Sequence, residues 1–126
     1  MTFLAVMIGG AVGALSRYVI SKLVQDWFSS SLFPWGTLTV NLLGCLLLGF
    51  CFMIGERYLI PPHWRNFVFV GIFGALTTFS TYSFETLALL QDGEYGYAMA
   101  NILANNGLGI LCVFLGFITA KWWIGR

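Results

Sequence analysis

The amino-acid sequence predicts an all-α membrane protein with four transmembrane helices, and three observations carry that prediction. Hydrophobic residues make up 59% of the chain and charged residues only 9%, against roughly 45–50% and about 25% in soluble domains. Such a chain cannot cover itself with polar surface. A window of about 19 residues finds four apolar stretches, each long enough to cross a hydrocarbon core of about 30 Å. All five tryptophans (Trp27, Trp35, Trp64, Trp122 and Trp123) fall at or beyond the ends of those stretches, where an amphipathic ring prefers to lie. At 126 residues the chain reads as one domain, 1–126.

The first span runs from Phe3 to Leu23. Its start, "MTFLAVMIGG", has no basic n-region, and no small-x-small site is followed by a polar sequence, so it is expected to stay in the protein rather than to be cleaved. Gly9 and Gly13 are four apart with Gly10 between them, a spacing that lets two helix backbones come close in lipid. The second span, Gly36 to Ile54, carries Gly36, Gly44 and Gly49 and one internal amide, Asn41. The third, Phe67 to Leu90, would be about 36 Å long as one helix, so it has length to spare for an interruption. The fourth, Ala98 to Trp122, places Asn101 and Asn105 on one face, where each is read as an interhelical bond worth about 0.6 kcal/mol.

Most of the charge sits in the connectors: Asp26, then Glu56, Arg57, His63 and Arg65 around Pro61-Pro62, then Asp92 and Glu94 around Gly93. Arg57, Arg65, Lys121 and Arg126 lie on one side of a four-span layout, against Lys22 and a snorkelling Arg17 on the other. This mild bias favours cytoplasmic termini yet permits insertion either way. The net charge of +1 gives nucleic acid no electrostatic reason to bind. Cys45, Cys51 and Cys112 lie within apolar spans without the Cys/His spacing of a zinc site, and read as inert core thiols.

Polar residues inside the spans are few: Arg17, Asn41, Glu85, Asn101, Asn105 and a hydroxyl cluster. A mid-bilayer charge costs at least ~2.5–3.5 kcal/mol, so these groups are expected to face protein or water. In "TTFSTYS", six of the seven positions from Thr77 to Ser83 carry a hydroxyl. Serine and threonine compete with the backbone for hydrogen bonds, which leaves two conformations open. The helix breaks there, freeing carbonyls and N–H groups as ion ligands, or the hydroxyls bond back one turn and only bend it.

The stretches "GGAVGALSRY", "GTLTVNLLG" and "GIFGALTTFSTYSFE", in this order on a four-span chain, resemble the Fluc family of fluoride channels, also called CrcB. The resemblance implies a multi-pass protein of the bacterial plasma (inner) membrane, not an enzyme. It implies an antiparallel, dual-topology homodimer with a break in helix three, two pores and a central sodium ion, through which cytoplasmic fluoride leaks out. Carried over by position, Phe79 and Tyr82 match the aromatics whose ring edges contact fluoride, and Asn41 matches a pore-facing asparagine. Ser80, Thr81 and Ser83 match hydroxyls around the break, and Glu85 the acid after it. The carbonyls of Gly74 and Thr77 match the sodium ligands, while Arg17, like Gly9 and Gly13, takes a structural part. Two departures stand out: Tyr82 replaces the usual phenylalanine, and Asn101 falls where a pore-facing tyrosine is often found.

The chemistry agrees with this expectation. Fluoride is small and tightly hydrated, so a pore needs replacement donors that do not trap it; hydroxyls, amide N–H groups and the positive rim of an aromatic ring suit that need. Four helices are few for a pore and its supporting shell, and dimerisation through the glycine faces would supply more. The alternative is a small proton-coupled multidrug exporter, but its working group would be a glutamate in helix one, and this chain's intramembrane acid is Glu85.

Overall fold

The computed structural model describes residues 2–125, all helical apart from short turns. The first span is α1 (Thr2–Trp27) and the second is α2 (Trp35–Arg57). The third comprises α3 (Pro62–Arg65), a π-helical stretch (Asn66–Phe73), α4 (Gly74–Leu76) and α5 (Phe79–Gln91). The fourth comprises α6 (Tyr95–Leu103), a second π-helical stretch (Ala104–Leu108) and α7 (Gly109–Ile124). All four spans are long and apolar enough to cross a membrane.

Every helix runs beyond the stretch read from hydropathy. Asp26 belongs to the last turn of α1, and His63 and Arg65 belong to α3 rather than to a connector. The cause is local: Pro62 occupies the first turn of α3, where its fixed φ favours a helix start and its missing N–H costs nothing. The turn between α5 and α6 closes on Gly93, at φ 78°. There Glu94 N donates to Leu89 O at 2.8 Å and Gly93 N to Leu90 O at 3.2 Å, the pairing that satisfies a helix end when glycine adopts the left-handed conformation. Arg126, counted in the charge asymmetry, lies outside the described residues.

Glycines set which helices touch. Gly9 and Gly13 are buried, and a Cβ on either would overlap a carbonyl of the third span, Phe67 O or Ile72 O respectively. Gly49 and Gly116 bring α2 and α7 together in the same way, against the Val113 and Leu46 carbonyls. These four glycines are filled within one protomer, whereas Gly10 and Gly107 have nothing within 4 Å of an added Cβ. Val40, Phe73 and Leu76 form the small buried core where the second and third spans meet. Elsewhere the spans turn large apolar side chains outward, such as Phe3 and Ile110, as suits contact with lipid.

Replacing Gly9 by alanine should therefore loosen the first span from the third. Backbone cannot yield as a flexible side chain can, so a loss of about 1–3 kcal/mol is expected. It would be read as a lower thermal transition of the detergent-solubilised protein, while alanine at Gly10, with nothing within 4 Å of its Cβ, should change little.

Candidate functional site

The polar groups of three spans meet at the junction of α4 and α5. Thr77 (φ −81°, ψ 153°) and Thr78 (φ −148°, ψ 113°) have extended backbone between the two helices. Asn41, on α2, holds this dipeptide with both ends of its amide. Thr78 N donates to Asn41 Oδ1 at 2.8 Å, and Asn41 Nδ2 donates to Thr78 O at 3.2 Å. Thr78 also caps α5, its Oγ1 accepting from Thr81 N at 3.2 Å, which satisfies a donor that the helix start would otherwise leave unpaired.

These bonds redirect two amides. In a continuous helix, Gly74 O would accept from Thr78 N and Thr77 O from Thr81 N. Both amides are engaged elsewhere, the first by Asn41 and the second by the Thr78 hydroxyl. The same geometry interrupts the hydrogen-bond ladder and removes the helical donors of Gly74 O and Thr77 O.

A relay of side chains anchors the junction to the fourth span. Asn41 Nδ2 also donates to Asn105 Oδ1 at 2.8 Å, and Asn105 Nδ2 donates to Asn101 Oδ1 at 2.8 Å. Asn101 is fully buried, with its Nδ2 donating to Thr86 Oγ1 at 2.9 Å, and Thr86 donates in turn to Tyr82 O at 2.8 Å. Fully paired amides of this kind fix one arrangement, because leaving any member unpaired in a dry interior is costly.

The two aromatics on α5 differ sharply. Phe79 is 76% exposed and Tyr82 only 8%, and their rings meet edge-on with centroids 5.3 Å apart. Ser80 and Thr81 are exposed, whereas the Ser83 hydroxyl donates to Phe79 O at 2.8 Å within its own helix. Glu85 accepts from Thr37 Oγ1 at 2.6 Å, and its other oxygen is buried without a partner among the described residues. It borders a cavity of about 490 Å³ shared with Ser21, Lys22, Gln25, Asp26 and Thr81, room enough for several waters. Arg17 lines a smaller cleft of about 190 Å³ beside Thr37, Thr78 and Thr81.

Asn41, Thr77, Thr81 and Glu85 are thus brought to one region, with Arg17 at its edge. Gly9 and Gly13 stand apart from it, packed against the earlier part of the third span. Sequence pattern alone points to neither Thr37 nor Asn106, marks Thr78 only as one of the hydroxyl run, and gives Asn105 only as a helix-to-helix bond. A usable signal existed in the spacing of Thr37 and Asn41, four apart on one helix face, which aligns a polar stripe along α2.

Four membrane-crossing helices with amides and hydroxyls converging at mid-span define a small multi-pass membrane protein. The chain belongs to the CrcB family: residues 4–117 match the family described as "CrcB-like protein, Camphor Resistance (CrcB)". Proteins similar to it carry the name "Fluoride-specific ion channel FluC". The one from Parabacteroides distasonis is 44% identical, covering 91% of this chain and 89% of its own. The Aquifex aeolicus protein is 46% identical over 93% and 94% of the two chains, and the Nitrosococcus oceani protein 47% identical over 92% and 93%.

Proposed function

We propose that this chain is a fluoride-selective ion channel, not an enzyme, which lets cytoplasmic fluoride leave by passive electrogenic flow. It works as an antiparallel homodimer in the bacterial inner membrane, with the interrupted third span at its centre, two pores and a sodium ion between the subunits. The names and coverage of the relatives support the ion and the channel class. The observation that carries the reading is the hold of Asn41 on Thr78, which keeps extended backbone stable at a depth where unpaired polar groups are tolerated only beside a cavity or protein.

The anion's contacts would be neutral and weak individually. Thr81 and Ser80 present exposed hydroxyls, and Phe79 presents a ring whose positive edge attracts an anion. No single group holds the ion as a buried ammonium would, so several partial substitutes for water can pass it along. The exposure of Phe79 in one protomer suits a ring that reaches its working surroundings only when a second copy is present. Glu85, already accepting from Thr37, borders the cavity beside α1 rather than lying in the first span, which weighs against a proton-coupled exporter.

The freed carbonyls of Gly74 and Thr77 fit a hard monovalent cation, which prefers oxygen ligands. Two copies related by a twofold axis would supply two pairs. When bound, sodium would supply a fixed positive charge and a tie between subunits; the chain's own contribution is to hold the oxygens bare. Dialysis into sodium-free buffer should accordingly lower fluoride flux severalfold, with recovery on adding sodium back; full activity without sodium would count against the site.

The direct assay loads proteoliposomes with potassium fluoride, collapses the voltage with valinomycin and follows release with a fluoride electrode. Fast release with chloride retained supports the channel. Release that requires a proton gradient would favour an exporter, and none at all would remove the function.

A further inference from the structure

Tyr82 is held on three sides. Its ring packs edge-on against Phe79, its carbonyl accepts from the buried Thr86 hydroxyl, and its own hydroxyl oxygen accepts from Asn106 Nδ2 at 3.1 Å. The last bond has a chemical consequence. A phenol carries one proton and can accept with its lone pairs, so an oxygen already accepting from Asn106 keeps its O–H to donate. Asn106 is itself fixed, because its Nδ2 also donates to Ile102 O at 2.8 Å, one turn earlier in the fourth span.

We propose that Asn106 is a positioning residue that orients the Tyr82 hydroxyl so that its proton serves a passing anion as a hydrogen-bond donor. This rests on the channel reading above and adds to it a donor stronger than a ring edge. The aromatic pair then has two unlike members: Phe79, exposed, offers a polarised C–H edge, and Tyr82, buried, offers an O–H. Because the Asn106 amide donates to the phenol oxygen, it polarises that O–H further, as chained hydrogen bonds do. A hydroxyl donor favours a small, strongly accepting anion over a larger, softer one, so the pair would act on selectivity as well as on rate.

Four proteins decide the matter in the fluoride efflux assay, with chloride release measured beside it: the natural chain, Tyr82→Phe, Asn106→Leu and the double variant. A natural chain without fluoride flux would end the channel reading itself, before the inference is tested. With flux present, Tyr82→Phe is expected to slow fluoride roughly three- to tenfold, the span of one net hydrogen bond, and to narrow the margin over chloride. Asn106→Leu should have a similar effect in the natural background and almost none when Tyr82 is already phenylalanine. Additive losses would make Asn106 a packing residue only. Unchanged or faster fluoride flux in Tyr82→Phe would show the hydroxyl to be out of the path or an obstruction, and overturn the proposal. Should Asn106→Leu assemble poorly, Asn106→Ala carries the same comparison, since Asn106 is exposed and its truncation empties no core.

Discussion

Asn41→Leu is expected to lower fluoride efflux by roughly a hundredfold or more. Asn41 donates to Thr78 O and Asn105 Oδ1 and accepts from Thr78 N; leucine has nearly its shape and none of these bonds. At about 1 kcal/mol net per bond, and more for any group left buried and unpaired, the loss exceeds the ~2.8 kcal/mol of a hundredfold change. Thr78 N–H would then be free to return to Gly74 O and restore a helical ladder. That closes one of the carbonyls proposed for the cation and moves the hydroxyls of α5. Asn41→Asp separates geometry from charge: it still accepts from Thr78 N, yet an ionised carboxylate beside the path repels an anion. Efflux should fall at least as far as with leucine. A normal rate in either variant would detach Asn41 from conduction.

Phe79→Ile is the second large effect, and it should appear in flux without appearing in stability. The ring is 76% exposed, so the substitution is expected to shift unfolding by no more than ~0.5 kcal/mol. Removing an aromatic edge worth ~0.5–1.5 kcal/mol beyond its area should slow fluoride severalfold to roughly tenfold. The measurement pairs efflux with size-exclusion chromatography of the same preparation. Unaltered flux would remove the ring from the mechanism, and a collapsed elution profile would make it a packing residue instead.

What the sequence made legible follows from what is local. Four spans, their tryptophan ends and the location of the polar cluster all depend on composition within a single helix, and hydropathy reports that directly. The hydroxyl run left a bend and a break open because serine and threonine permit both; the deciding partner, Asn41, lies 37 positions away from Thr78. Thr37 was passed over for the same reason, since its partner Glu85 is 48 positions distant and an isolated threonine near a helix start is unremarked in any window. The two π-helical stretches carry no propensity signal of their own. They occur where the third span packs against the glycines of α1 and where the fourth presents Asn105 to α2 and Asn106 to α5, so tertiary contact selects them. The glycines were legible as packing faces, but not which of them, such as Gly9 and Gly116, are filled inside one chain. For Asn106 and Tyr82, the usable clue was that tyrosine stands where the family has phenylalanine.

The most direct test of passive, electrogenic conduction is the reversal potential of current through purified protein in a planar bilayer with a fluoride gradient. A fluoride channel gives a current that reverses at the equilibrium potential of fluoride and does not move when the chloride or proton gradient is changed. A reversal that follows protons or chloride, or a bilayer that stays silent while the protein is folded, would contradict it.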